Sequence, residues 1–148
     1  MNTKELDGYL KFLSEKQTAV QESGFDVEDS DLSPQLFPFQ KYCVKRALKV
    51  GRFAMFEDCG LGKTYQQLEW AQQVVNHINK PVLILAPLGV IGQTIKEGVH
   101  FGYKVTEIAL TTFDQDLAAG IYITNYDNMD NIDAYLFGGG SFLMRVQY

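Results

Sequence analysis

Cysteine is scarce in this sequence of 148 residues, in which only Cys43 and Cys59 occur. Two cysteines cannot build the disulfide framework of a small secreted domain, so they indicate a reducing, cytoplasmic setting. Long apolar runs are also missing. Residues 1–7 contain no signal-peptide core, and the longest run, residues 81–92, is too short to span a bilayer, so we expect no membrane partner. A hydrophobic content of 46% nevertheless suffices for one domain with a core and excludes wholesale disorder.

An excess of positive charge is missing as well. The net charge is −5, which argues against a generally basic surface for nucleic acid. Five acids fall in one loop-like stretch and the remainder is neutral without them, so charge neither demands nor excludes nucleic acid. Five bases lie on a predicted helix and just beyond it, where we interpret them as a solvated helix face. The acids are Glu22, Asp26, Glu28, Asp29 and Asp31, and the bases are Lys41, Lys45, Arg46, Lys49 and Arg52.

Segments with helical and strand periodicity alternate along most of the chain. This alternation predicts an α/β domain whose parallel strands are joined by right-handed crossovers. The continuous apolar run at residues 82–86 is typical of a strand that is covered on both faces. The predicted helices are residues 3–18, 40–50, a long segment ending at residue 78, and 90–100; the predicted strands are residues 52–56, 82–86, 105–110 and 121–124.

A glycine-rich loop, residues 57–64, lies between a predicted strand and a predicted helix and reads E-D-C-G-L-G-K-T. Gly60 and Gly62 allow the backbone to curl so that successive N–H groups converge on phosphate oxygens, and the following helix presents its positive end to the same anion. Lys63 would reach the β- and γ-phosphates, and the Thr64 hydroxyl would bind Mg²⁺. This glycine loop therefore predicts a nucleotide-phosphate site, with Lys63 and Thr64 as candidate catalytic residues.

Residues outside the glycine loop complete the predicted nucleotide site. An amide side chain such as Gln40 can offer a donor and an acceptor to an adenine edge, and an aromatic ring such as Phe39 can stack on the base. Glu57 departs from the general pattern G-x-x-x-x-G-K-[ST], which has glycine at its position. The residues expected to bind nucleotide are Phe39, Gln40, Asp58, Cys59, Gly60, Leu61, Gly62, Lys63, Thr64 and Tyr65.

The order of these motifs resembles the first RecA-like lobe of superfamily 2 helicases and translocases, closest to the Snf-type and phage-type DEAD/DEAH proteins. In that family an L-x-x-Y/F-Q element, similar to residues 36–40, reads adenine. The Snf-type loop D-E-x-G-L-G-K-T is similar to residues 57–64 with the two acids exchanged. Residues 86–88 with 93–94 resemble motif Ia, and residues 124–126 resemble the T-T-Y element. The resemblance covers about residues 35–137.

The resemblance implies a three-layer RecA-like P-loop NTPase lobe that binds ATP and Mg²⁺ and works on nucleic acid, most simply DNA. Residues 1–34 would then be an N-terminal helix and acidic linker, and residues 138–148 an atypical tail. The resemblance also implies a nucleic-acid face, formed by the residues that resemble motif Ia and the T-T-Y element. Its expected residues are Pro87, Leu88, Gln93, Thr124 and Asn125.

One motif of the resembled family, an Asp-Glu pair, is not found in residues 1–148. In that family an Asp-Glu pair after the next strand holds Mg²⁺ and orients the attacking water, and a second lobe supplies an arginine finger. One permitted set of codons for residues 141–148 reads, in a shifted frame, as a short apolar stretch followed by Asp-Glu. We therefore hypothesise a frameshifted tail and expect negligible hydrolysis by this chain. Residues 141–147 keep a strand pattern, which predicts a short parallel strand in the sheet.

Two other classes of function stay open. A non-enzymatic regulator could keep the lobe to bind a nucleotide or a nucleic acid, and it predicts a structured C-terminal tail. A small P-loop kinase or GTPase would need an acidic Mg²⁺ ligand at a strand end. No strand predicted after the glycine loop ends in Asp, since residues 121–123 lead into Thr124 and Asn125.

Overall fold

Helices packed on a parallel sheet make up the part of the chain that the computed structural model describes, namely residues 22–108, 117–131 and 143–145. This confirms the predicted α/β class. The helices are α1 (Pro38–Val50), α2 (Lys63–Ile78) and α3 (Leu88–Phe101), with a 3₁₀ helix at Tyr126–Asn131; the strands are β1 (Pro81–Ala86), β2 (Val105–Glu107), β3 (Gly120–Asn125) and β4 (Leu143–Arg145).

The described sheet has the order β2-β3-β1-β4, and every neighbouring pair is parallel. Residues 82–86 of β1 are all buried, as the continuous apolar run predicts. Because side chains alternate along a strand, β1 serves two apolar clusters. Val82 and Ile84 join the cluster that contains residues of all three helices, whereas Leu83 and Leu85 join a smaller cluster on the opposite face.

Local residue chemistry fixes the ends of the helices. Pro38 is the first residue of α1, where a missing N–H costs nothing, and Gly51 ends the helix with φ of 81°. Asn79 ends α2 in the left-handed region at φ 52°, a conformation that Asn tolerates better than most residues. Only residues 79 and 80 separate α2 from β1. The start of α2 therefore lies near the end of the sheet at which β1 finishes.

The predicted strand before the glycine loop does not form. Residues 53–58 have no regular structure, and Phe56 is 92% exposed. A strand requires a neighbour for its backbone N–H and C=O groups, and the described sheet places none beside this segment. The predicted helix 3–18 lies outside the described residues, as do residues 109 and 110 of the predicted third strand.

The predicted strand in the tail is confirmed for residues 143–145. This strand, β4, pairs in parallel with β1, so that Leu83 lies opposite Leu143 and Leu85 opposite Arg145. The other residues of the predicted segment 141–147 lie outside the described part of the chain. β4 is one of the two edge strands of the described sheet, and β2 is the other.

The acidic segment, residues 22–31, has no regular structure and runs against the end of α1. Backbone N–H groups of residues 23–25 donate to the carbonyls of residues 48–50 at 3.1 to 3.3 Å. These carbonyls belong to the last turn of the helix, where carbonyl groups have no hydrogen-bond partners within the helix itself. The approach is so close that a Cβ on Gly24 would lie 1.7 Å from the Leu48 carbonyl oxygen. The segment therefore caps α1.

The same acidic segment neutralises the basic face of α1. Of the five bases that the sequence predicts to form a solvated face, Lys45, Arg46 and Lys49 pair with carboxylates of this segment and keep side chains that are 37–41% exposed. Its hydrogen bond to Lys45, together with the charge of that lysine, lowers the pKa of Asp29. The pairs are Lys45–Asp29 at 2.6 Å, Arg46–Glu22 at 2.9 Å, Lys49–Asp26 at 3.3 Å and Lys49–Glu22 at 3.7 Å.

The buried carboxylate of Glu69, on α2, links this helix to the residues that follow the acidic segment. Glu69 is 2% exposed and accepts hydrogen bonds from Gln73 Nε2 at 2.8 Å, from the Ser33 N–H at 3.3 Å and from the Tyr103 hydroxyl. Gln73 also donates to the Asp31 carbonyl at 2.7 Å. Burial, and then the bond to Glu69, raises the pKa of Tyr103 well above that of a free phenol. Neutral donors thus satisfy a charge inside the domain.

Candidate functional site

The glycine loop adopts a conformation that depends on its two glycines. Gly60 and Gly62 have φ of 83° and 76°, a region that disfavours other residues. Gly62 directly precedes α2, and its carbonyl accepts the first helical hydrogen bond from Gln66 N at 3.1 Å. A Cβ at Gly62 would also lie 2.5 Å from Gln40 Nε2. The backbone angle favours glycine at this position, and any larger residue would also displace the end of the Gln40 side chain.

Lys63 is the first residue of α2, and its side chain folds back over the loop. Its Nζ donates to the Glu57 carbonyl at 3.0 Å. The ammonium group therefore adds a full charge to the partial positive charge of the helix N-terminus. Thr64 follows in the first turn and is half-buried, whereas residues 58–61 of the loop are exposed. A cation, a hydroxyl and exposed loop backbone thus lie together at the start of one helix.

Two glutamine side chains hold the Leu61 carbonyl of the loop. Gln40 Nε2 donates to it at 2.9 Å and Gln66 Nε2 at 3.2 Å. Gln40 Oε1 in turn accepts from the Phe37 N–H at 2.9 Å, which ties the start of α1 to the loop. Gln40, which the sequence predicts to contact adenine, is only 5% exposed. Beyond these hydrogen bonds its amide still has one N–H to donate and one acceptor site.

Aromatic side chains surround the start of α1. Phe39 is 45% exposed and stacks on Phe37, with ring centroids 6.3 Å apart. Phe39 therefore presents an aromatic surface to solvent one residue from Gln40. Tyr65 differs, because its ring is buried against Phe101 at 3.9 Å and its hydroxyl bonds to Ser33. The side chain of Tyr65 lies inside the domain rather than beside the exposed part of the loop.

The structure brings together some of the residues predicted for nucleic acid. Ala86 pairs with Asn125 across the sheet, so Pro87 and Leu88 at the start of α3 lie at the same sheet end as Asn125. Leu88 is 66% exposed. Gln93, on the next turn, is exposed and donates to Glu97 at 2.8 Å.

Thr124 lies apart from this exposed group. It is 1% exposed, its hydroxyl donates to the Ile108 carbonyl at 3.1 Å, and it accepts a hydrogen bond from Asn128 Nδ2 at 2.8 Å. The Asn125 side chain also accepts from the Asn128 N–H, at 3.2 Å. The Thr124 hydroxyl thus helps to hold the chain after β3.

The two cysteines occupy different surroundings beside the loop. Cys59 is exposed within it, whereas Cys43 on α1 is half-buried. Burial, followed by the neighbouring Glu57 carboxylate, raises the pKa of the Cys43 thiol. Within the described ranges, no group of three or more His, Cys, Asp or Glu side chains is arranged to hold a metal ion. Thr64 directly follows Lys63, and the loop acids Glu57 and Asp58 precede it by six and five residues.

Gln66 is a candidate site residue that the sequence analysis did not identify. It is fully buried, and besides Leu61 its Nε2 contacts Glu57 Oε2 at 2.8 Å. The available signal was its position: residues 66, 70 and 73 follow helical spacing along a face of α2 that contains the buried Trp70. A polar residue on such a face indicates a specific partner.

Comparison with models of known protein families found no match. Comparison with curated proteins found no match either. Among the described residues, no helix combines the length and apolar character needed to cross a bilayer.

Proposed function

We propose that the glycine loop binds the phosphates of a nucleotide and that the chain is the ATP-binding lobe of a nucleic-acid-dependent ATPase of the helicase or translocase type. One observation carries the proposal. Two left-handed glycines lead directly into α2, whose first residue, Lys63, places its ammonium group back over the loop. Converging backbone N–H groups, a helix N-terminus and a lysine are the combination that phosphate oxygens require.

The remaining residues fit ATP and Mg²⁺ by their chemistry. Thr64 would ligate Mg²⁺, which when bound would neutralise phosphate charge, and Gln40 with Phe39 would contact the base. The fit is supported by the exposed aromatic ring at Phe39 and by the glycine at residue 62, where any side chain would meet Gln40. In this proposal the domain is a three-layer RecA-like P-loop NTPase lobe.

The proposed nucleic-acid face lies at the start of α3. A Cβ added at Gly89 or Gly92 would meet no atom of the described residues within 4 Å, so backbone on this surface is open to a large ligand. Exposed Leu88 and Gln93 border it. Pro87 and Asn125 lie at the same sheet end, which supports one continuous face for DNA.

A second candidate, a non-enzymatic regulator that binds a nucleotide or a nucleic acid, is favoured by β4. That reading predicts a structured tail, and residues 143–145 pair with β1. The coding DNA distinguishes the two candidates. An alternative frame that contains Asp-Glu and a second lobe would support the ATPase, and a gene without them in any frame would support the regulator.

The proposed phosphate site depends on Lys63. Lys63→Ala removes the cation while leaving the loop backbone in place, so we expect at least about a tenfold loss of affinity for ADP and for ATP with Mg²⁺. Lys104→Ala, which removes an exposed lysine at the far end of α3, is the matched control and should bind as the wild type does. Isothermal titration calorimetry measures both. Equal affinity of Lys63→Ala and the wild type would contradict the proposal.

A further inference from the structure

One peptide group in the glycine loop is held from beneath by two amide side chains. The Leu61 carbonyl accepts from both Gln40 and Gln66, so it points toward the interior where these side chains lie. The described chain has no cis peptide bonds, and in a trans peptide the N–H points opposite to the C=O. The N–H of Gly62 therefore faces away from the two glutamines, toward the open side of the loop.

Gln66 is the less expected of the two supports. It is 0% exposed, and its Oε1 has no hydrogen-bond partner among the described residues. A buried amide with an unsatisfied oxygen is costly, and an apolar side chain of similar shape would fill the same space without that cost. Packing alone therefore does not account for a glutamine here. The hydrogen bonds that its Nε2 donates to the Leu61 carbonyl and to the Glu57 carboxylate account for the glutamine.

Glu57 gives Gln66 its direction. Glu57 Oε2 accepts from Gln66 Nε2 at 2.8 Å, and its other oxygen, Oε1, is buried and has no hydrogen-bond partner in the part of the chain that the structure describes. If the Gln66 amide were turned over, its oxygen would face the carboxylate, which accepts hydrogen bonds and does not donate them. The carboxylate therefore fixes the Gln66 amide with its nitrogen toward the Leu61 carbonyl. This explains an acid at a position where the general loop pattern has glycine.

We propose that Gln66 is a positioning residue for phosphate, oriented by Glu57: it fixes the Leu61–Gly62 peptide so that the Gly62 N–H is directed at the ligand before the ligand arrives. The inference rests on the proposed function and deepens it. Because the fixed N–H belongs to the phosphate part of the site, Gln66 controls affinity for the diphosphate group and leaves affinity for the nucleoside unchanged.

Three variants separate positioning from packing. Gln66→Met keeps most of the buried volume and removes the donor. Glu57→Gln keeps an oxygen that can accept from Gln66 and removes the charge. Gln67→Met is the matched control, because Gln67 is the neighbouring residue, is 4% exposed, and has an Nε2 without a partner among the described residues.

Calorimetric titration with pyrophosphate, ADP and adenosine gives the decisive readout. We expect Gln66→Met to weaken pyrophosphate and ADP binding by the same factor, about fivefold to tenfold, as for loss of one oriented donor, with adenosine binding unchanged. Glu57→Gln, whose amide can also donate to a turned-over Gln66, should weaken pyrophosphate binding by about twofold to fivefold, and Gln67→Met should match the wild type. If Gln66→Met fails to fold, Gln66→Asn, whose amide is one methylene too short to reach, replaces it.

Two results would overturn the inference. One is wild-type pyrophosphate affinity in Gln66→Met, and the other is an equal loss for adenosine and pyrophosphate, which marks general damage.

A ligand-free measurement separates this inference from the proposed function. In a Cys43→Ser background, Gln66→Met should raise the rate at which a thiol reagent modifies the exposed Cys59, because the loop is less ordered. If the wild type binds neither ADP nor pyrophosphate, the proposed function fails; an unchanged thiol rate shows that Gln66 does not order the loop.

Discussion

Single side chains determine how the glycine loop is held and what a ligand must displace. The Lys63 ammonium donates to the neutral carbonyl of Glu57 at 3.0 Å. A phosphate would replace this neutral acceptor with a charged one, so that both partners of the bond are ionised and the exchange favours binding. The Cys43 thiol on α1 neighbours the Glu57 carboxylate, and the exposed Cys59 lies two residues after Glu57 within the loop, so each thiol offers a reporter of its own position.

The two thiols should react at different rates. Cys59 is exposed, whereas burial and the Glu57 carboxylate raise the pKa of Cys43 and so reduce its thiolate fraction at neutral pH. We expect a maleimide to modify Cys59 first and ADP to slow that reaction. Peptide mass spectrometry over a time course measures both rates. Faster labelling of Cys43 would show that the loop is less accessible than the structure indicates.

Whole elements are held together by contacts that join segments distant in sequence. The acidic segment caps α1 through its backbone and neutralises it through its side chains. The ion pairs are partly exposed, and pairs of this kind contribute little stability individually. The backbone contact at Gly24 and the hydrogen bond from the buried Gln73 to the Asp31 carbonyl are therefore the stronger attachments between this segment and the helices.

Gly24 should tolerate no side chain. A Cβ there would overlap the Leu48 carbonyl oxygen, so Gly24→Ala must shift the segment or the helix end, and we expect a loss of about 1–3 kcal/mol in the free energy of unfolding. Gly92→Ala is the control, because its Cβ would meet no atom of the described ranges within 4 Å and alanine stabilises a helix by about 0.5–1 kcal/mol relative to glycine. Urea denaturation followed by circular dichroism measures both. Equal stability of Gly24→Ala and the wild type would rule out the close contact.

The predictability of each element follows from the range of the interactions that form it. Helical periodicity and Gly51 predicted α1, and the glycine pattern predicted the turn into α2, because these signals are local. Residues 52–56 have a strand-like pattern, but a strand also depends on a neighbour that the local sequence does not specify. The partners of Gln66 lie in the loop and those of Glu69 reach the chain after the acidic segment, so neither partner set could be read from spacing alone.

At the scale of the whole molecule, β1 is the centre of the fold. It lies between β3 and β4 and carries side chains into both apolar clusters. Its end leads to the start of α3, and α2 precedes it by two residues. The strand therefore connects the candidate phosphate site with the proposed nucleic-acid face, which lies at the carboxyl end of the sheet, where ligands of open α/β sheets commonly bind.

The pairing of β4 with β1 should protect backbone amides at residues 143–145. We expect a peptide covering this strand to exchange hydrogen for deuterium more slowly than residues 53–58, which have no regular structure, and faster than β3, which is paired on both sides. Mass spectrometry of the exchanged chain compares the three segments. Exchange of residues 143–145 as fast as that of residues 53–58 would show that the strand does not pair stably.

The position of β4 also sets an order of events while the chain is being synthesised. β1 can pair with β3 once residue 125 has emerged from the ribosome. The other edge of β1 pairs only when residues 143–145 have been made, and these lie about 60 residues after the β1 residues that they pair with. Until then the nascent protein presents β1 with one row of backbone N–H and C=O groups open. An open parallel edge pairs readily with other strands, so chaperone occupancy of nascent chains should be highest in this interval.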